Sequence, residues 1–202
     1  SFHEGFASVW IKNKGWNFIN REGKEICDRW YSHVWNFKEG FAKVKDENKG
    51  WNFINREGNE LCDRWYDEVS EFSEGFAVVE DENEGETFIN YDGKEVFDRW
   101  YDYAYKFSEG FAMIGVYNKG WTFINREGKE ICNRWFDRTL SFSEGFAWVA
   151  YKGKPYWLRK DGVLCDYETK EPIENSPTQM TESLINRLVR EALRENKKPR
   201  YL

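Results

Sequence analysis

Apolar and polar positions along this chain come in short bursts parted by turn residues. Phe76 to Glu80, FAVVE, is aromatic and β-branched, and the DENEG that follows from Asp81 has turn composition. In WNFIN, period-2 alternation puts Trp51, Phe53 and Asn55 on one face and Asn52 and Ile54 on the other. Arg56 to Asn59, REGN, reads as a tight turn with Gly58 taking the positive φ. Glu60 to Asp63, ELCD, reads as a short third strand. The segment WYDEVSEF, Trp65 to Phe72, spaces its apolar residues unevenly and is compatible with strand or loop. Short strands with frequent turn signals predict an all-β fold.

The pattern repeats. The phrase EGFA places glycines at Gly5, Gly40, Gly75, Gly110 and Gly145, and RWY or RWF begins at Arg29, Arg64, Arg99 and Arg134, always 35 residues apart. Five units follow: 1–35, 36–70, 71–105, 106–140 and 141–167. The third carries Glu86 where the others have Trp16, Trp51 and Trp121, and the fifth loses the Gly-Trp pair. With its EGFA, Gly15-Trp16, Gly50-Trp51, Gly120-Trp121, FIN.EG and Trp65-Tyr66-Asp67 motifs, the chain resembles the bacterial WG-repeat proteins from about Ser1 to Tyr167. That resemblance implies an all-β module similar in rhythm to the aromatic hairpin repeats of cell-wall-binding proteins, and it brings no catalytic residues.

Two architectures suit such a unit: an open solenoid of stacked hairpins or three-stranded units, which we favour, and a closed five-bladed propeller. A tight β-helix is disfavoured by charge. Glu4, Glu39, Glu74, Glu109 and Glu144 would stack one strand layer apart as an uncompensated carboxylate ladder, as would Arg29, Arg64, Arg99 and Arg134. Degraded copies at the end of an array are expected of caps.

After Tyr167 the rhythm stops. Residues 168–176 read as a polar linker with Pro172. Ser176 then suits an N-cap, and an amphipathic helix with a basic tail is expected over 177–202, its stripe carrying Met180, Leu184, Leu188 and Val189. It is read as a cap over the last repeat, or as an element offered to a partner's groove or to another copy of the chain.

Composition narrows the function. Aromatic residues make up 19% of the chain, including 11 Trp, which suits units that bury their faces on neighbours. A net charge of −6 argues against nucleic acid. No apolar run reaches the length of a membrane span, and with no leader visible a cytoplasmic location is expected. The chain opens at Ser1 in mid-repeat, which leaves a secreted or envelope location open.

Cys27, Cys62 and Cys132 share one repeat position that Phe97 fills in the third copy, so they read as reduced thiols in an apolar slot. With His3 and His33 as the only histidines, neither a zinc set nor a nucleophilic triad can be assembled, and no metal, cofactor or enzymatic activity is expected. Trp30, Trp65, Trp100 and Trp135 read as a core ladder between units. Trp16, Trp51 and Trp121, at a position that tolerates Glu86, read as an exposed row able to grip a partner. The favoured function is a non-catalytic scaffold for protein–protein interaction, through Trp16, Trp51 and Trp121 or the helix residues Leu184 and Leu188. The alternatives are a carbohydrate or cell-envelope module using the same tryptophans, and a structural element that self-associates through the C-terminal helix.

Overall fold

The structure, a computed structural model, describes residues 1–173. The expected helix, with Leu184 and Leu188, lies outside the described residues. Within them the chain is all-β and builds five small antiparallel sheets in chain order. The first pairs β1 (Ala7–Ile11) with β2 (Gly15–Ile19). The second orders β3 (His33–Val34), β4 (Ala42–Asp46) and β5 (Gly50–Ile54). The third repeats this with β6 (Glu68–Val69), β7 (Ala77–Asp81) and β8 (Gly85–Ile89). The fourth has β9 (Tyr103–Ala104), β10 (Phe111–Val116) and β11 (Gly120–Asn125). The fifth has β12 (Arg138–Thr139), β13 (Phe146–Tyr151), β14 (Lys154–Arg159) and a fourth strand, β15 (Leu164–Asp166).

Turn chemistry sets these boundaries. Each EGFA opens with a two-residue turn whose Glu and Gly both have positive φ, as at Glu39 (52°) and Gly40 (88°), the geometry that suits a tight hairpin. In each NREG-type turn an Asn side chain closes the loop: Asn55 Oδ1 accepts from Glu57 N at 3.1 Å and Asn59 N at 2.9 Å. The glycine of the Gly-Trp pair is dictated by crowding. Gly50 has φ +98°, and a Cβ there would lie 2.3 Å from the carbonyl oxygen of Tyr66.

The ELCD segment does not form the expected strand in the second sheet. It meets β5 at one bridge, Ile54 to Glu60, then lifts away, and the chain rejoins at the Trp51–Tyr66 bridge. Between these points the wholly buried side chain of Asn52 takes over the ladder. Its Nδ2 donates to Cys62 O at 2.9 Å and its Oδ1 accepts from Cys62 N at 3.1 Å. Asn17 does the same in the first copy, while Thr87 and Thr122 occupy the position in the third and fourth. The ambiguous WYDEVSEF segment contains β6, which pairs with β7 of the next hairpin. Each edge strand therefore comes from the end of the preceding sequence repeat, and the sheets straddle the repeat boundaries. Part of the expected linker is also folded: Ile173 N donates to Leu164 O at 3.0 Å and the side chain joins the last core.

Both faces of an internal sheet are buried, because sheets stack face on face. Trp51 and Phe53 on one face of the second sheet share a core with Val79 and Ile89 of the third. Val78 and Phe88, on the other face of the third, share a core with Ile114 and Ile124 of the fourth. A closed ring would set the first sheet against the fifth. Among the described residues no core cluster, ion pair or ring contact joins them.

The uncompensated carboxylate ladder that argued against a tight β-helix does not form. The repeat glutamates do line up from sheet to sheet, but Glu4, Glu39, Glu74 and Glu109 are each answered by the next unit. Glu74 accepts from Glu109 N at 2.7 Å and Gly110 N at 2.9 Å and pairs with Arg126 at 2.9 Å. Glu109 repeats this with Glu144 N, Gly145 N and Lys160. The arginines alternate with acids in the same way: Arg29 pairs with Asp46 and with Glu60, and Arg64 with Asp81 and Glu84. Charge and backbone dipole together thus pin the sheets in register.

Candidate functional site

The structure places the two tryptophan sets differently from expectation. Trp51 is only 6% exposed, and Trp16 and Trp121 are half-buried, so they form no exposed row. Lys43 and Lys45 lie over the Trp51 ring at 5.5 and 5.0 Å, which leaves no free face for a sugar. Trp30, Trp65, Trp100 and Trp135 are all half-buried, and the last three sit at the rims of the cores rather than inside them. Cations cover them: Arg29 and Lys49 lie 5.3 and 5.5 Å over Trp65. The interior position is the next residue, held where the chain rejoins the ladder, and Tyr31, Tyr66, Tyr101 and Phe136 are all buried there.

Cys27 and Cys62 are free and buried, and Cys132 is free and half-buried. Burial pushes the Cys27 thiol up to about 11 and Cys62 to about 12. Burial likewise raises Cys132 to about 11. Such thiols are poor nucleophiles. Among the described residues no group of three His, Cys, Asp or Glu side chains is arranged to hold a metal ion.

The exposed apolar surface lies elsewhere. The residue just after each edge strand is held out at the sheet edge by one backbone bond, as Trp35 N donates to Lys43 O and Tyr105 N to Met113 O, both at 2.9 Å. These positions are Trp35, Ser70, Tyr105 and Leu140, 35 residues apart. Trp35, Tyr105 and Leu140 are 43%, 47% and 63% exposed. The edges run side by side, since residues 68–70 and 104–106 line one cavity. Behind this ridge stand the Gly-Trp indoles. Trp35 meets Trp51 edge-on at 4.9 Å, Tyr105 meets Trp121 at 5.9 Å, and the exposed Tyr103 stacks on Trp121 at 5.5 Å. Gly115 makes room for that indole, as a Cβ there would lie 2.7 Å from it.

At the third sheet the ridge is broken. Ser70 replaces the ridge ring, Glu86 the backing indole and Val78 the lysine of Lys43, leaving an open notch of about 400 Å³. Across this sheet Glu68, Glu80 and Glu86 stand directly opposite one another in register. Burial raises the Glu86 carboxyl above its ordinary range and the facing Glu80 adds to this, against the Ala104 N–H that it accepts. Ridge positions were hard to recognise in the sequence, because Trp, Ser, Tyr and Leu share no motif. Their one signal is variability at a fixed place in an otherwise repetitive unit.

A model of the family described as WG containing repeat matches residues 16–49, 51–84, 87–119 and 121–154. The chain belongs to the WG-repeat family. The third match begins one residue past Glu86, where the WG tryptophan is missing. No curated protein matches. Among solved structures the chain is similar to the computationally designed Ika8 protein, at 13% identity and TM-score 0.47 over 81% of this chain and 58% of that one. It is also similar to the designed Ika4 protein (14%, TM-score 0.43, 68% and 98%) and to BamB from Moraxella catarrhalis (7%, TM-score 0.40, 80% and 55%). The chain thus spans little more than half the length of the first and third of these. In WG-repeat terms, the WG tryptophan here backs the exposed ridge and does not itself form the surface.

Proposed function

We propose that this chain is a non-catalytic scaffold, an open array of stacked WG sheets, that binds a partner protein along the ridge of Trp35, Tyr103, Tyr105 and Leu140. The observation that carries this reading is a row of exposed large apolar side chains, Trp35, Tyr105 and Leu140, at the same edge position of the second, fourth and fifth sheets. Exposed aromatics backed by buried rings suit interface anchors, which combine large contact area with little rotamer freedom to lose. Single exposed apolar residues need no explanation, but a periodic row does.

The test is selection of binding peptides from a random displayed library on the full chain. The selected peptides should lose at least about tenfold in affinity against a Trp35→Ser, Tyr105→Ser, Leu140→Ser variant whose melting temperature is unchanged. Equal binding to that variant would move the interaction off the ridge.

A further inference from the structure

The notch in the third sheet has a filled counterpart one repeat earlier. In the second sheet the same positions hold Trp35, Lys43 and Trp51, and the Lys43 ammonium lies 4.9 Å over the Trp35 ring and 5.5 Å over Trp51. It also donates to the carbonyl oxygen of Val69, on the edge strand of the next sheet, at 3.3 Å. Half-buried between two sheets, that site is occupied by a cation from the chain itself. Thirty-five residues on, all three groups are smaller: Ser70, Val78 and Glu86. The position equivalent to Val69 is Ala104, which lines the notch with Val69 and Val78 as its apolar floor.

The charge at the two places is also reversed. Where the second sheet has His33, Lys45 and Trp51 in one cross-strand row, the third has Glu68, Glu80 and Glu86. Like charges directly opposite destabilise a sheet. Elsewhere in the molecule the aligned Glu74 and Glu109 are answered by backbone N–H groups together with arginine or lysine. These three make no ion pair among the described residues, and Glu86 accepts one backbone N–H, that of Ala104. One basic side chain, the exposed Lys106, stands at the rim beside Tyr105, so the lining keeps an excess of negative charge.

We infer that this notch takes a basic side chain, lysine or arginine, from the partner protein bound along the ridge. The stem lies on Val69, Val78 and Ala104, and the cationic head reaches the three carboxylates beside the Tyr105 ring, replacing what Lys43 supplies within the second sheet. The inference rests on the ridge reading for the partner, but the pocket chemistry can be tested without one.

The probes are three capped tripeptides, acetyl-Gly-Lys-Gly-amide and its Arg and Leu counterparts, titrated into the 15N-labelled full chain. The Lys and Arg peptides should give saturable amide shifts centred on Ser70, Ala104 and Lys106, and the Leu peptide none. Glu86→Gln should weaken binding about three- to tenfold, and Glu86→Trp, which refills the slot as in the second sheet, should abolish it. Glu86→Gln keeps the size of the side chain, so the result does not hinge on the larger substitution being tolerated. Equal binding of the Leu peptide, or shifts unchanged in both variants, would overturn the notch assignment. The ridge reading stands or falls separately with the triple ridge variant.

Discussion

Asn52 offers the sharpest test of how this fold is held. The side chain is wholly buried and replaces a stretch of β-ladder, donating to Cys62 O at 2.9 Å and, more weakly, to Arg64 O at 3.4 Å, while accepting from Cys62 N at 3.1 Å. Asn52→Ala removes both bonds to Cys62, as well as the one from Phe53 N at 2.7 Å, and leaves the Cys62 N–H and C=O buried without partners. At ~1–3 kcal/mol for each orphaned group, with some relief from entering water, the loss should be about 3 kcal/mol. Asn52→Leu separates hydrogen bonding from packing. It restores the volume and should cost at least as much as Ala, because a filled site keeps water out. Asn52→Thr should be milder, at roughly 1 kcal/mol, since Thr87 solves the same problem in the third copy with a single bond to Arg99 O at 2.9 Å. The reverse change is a gain: the Thr122 hydroxyl is buried with no hydrogen-bond partner among the described residues, so Thr122→Asn should stabilise by about 1 kcal/mol. Urea unfolding followed by tryptophan fluorescence measures the total. Hydrogen exchange at the Cys62 amide, which donates to Asn52 Oδ1, localises it, which matters in an array where stability is carried by units and junctions. If Asn52→Leu matches the parent protein within about 0.5 kcal/mol, the buried asparagine is not a ladder substitute and the argument fails.

Other consequences follow from the junctions. Gly58 and Gly23 have the same turn and similar φ, but a Cβ on Gly58 would lie 2.0 Å from Ile26 O in the preceding unit, while Gly23 has open space. Gly58→Ala should therefore cost upwards of about 2 kcal/mol and Gly23→Ala about 1 kcal/mol, as read by denaturation midpoints. Glu74 and Glu86 should respond to pH with opposite signs. Burial opposes ionisation of Glu74, but Arg126 and the Gly110 and Glu109 N–H groups outweigh it and hold its folded pKa below 4.5. Its stabilisation is present above that value and lost as pH falls through the folded pKa, so the cost of Glu74→Gln should shrink on acidification. Glu86 is raised above 4.5 by burial and by Glu80, so its cost builds as pH rises from 4.5 to the folded value and is full above it. Glu86→Gln should then stabilise by a few tenths to ~1 kcal/mol at neutral pH and by nothing near about pH 4. Finally, burial holds the Cys27 and Cys62 thiols up at about 11 and about 12, so both should resist alkylation near about pH 8 until the chain is unfolded in urea.

Much of this architecture is written locally. The 35-residue period, the EG and NREG turns and the alternation in WNFIN depend on residues a few positions apart, and the folded chain keeps all of them. The family resemblance rests on the same local signals. Burial is another matter. In an isolated strand Trp51 and Asn52 point to opposite faces, and one face ought to be wet. Stacking covers both, so the tryptophan is shut in and the asparagine becomes a ladder group. Nothing within one repeat announces that the residue after Trp65, and not Trp65 itself, enters the core.

The sequence by itself determined the number of units, their central hairpins and turns, and the all-β class, because turn chemistry and period-2 patterning act over a few bonds. Only the tertiary structure decided that sheets borrow their edge strands across the repeat boundary, that the glutamate ladder is answered by N–H groups 35 and 36 residues away, and that Trp35, Tyr105 and Leu140 line one ridge. Those outcomes depend on how one unit rests on the next. They arise from contacts between residues of neighbouring units, whose geometry is set by stacking and not by the local chain.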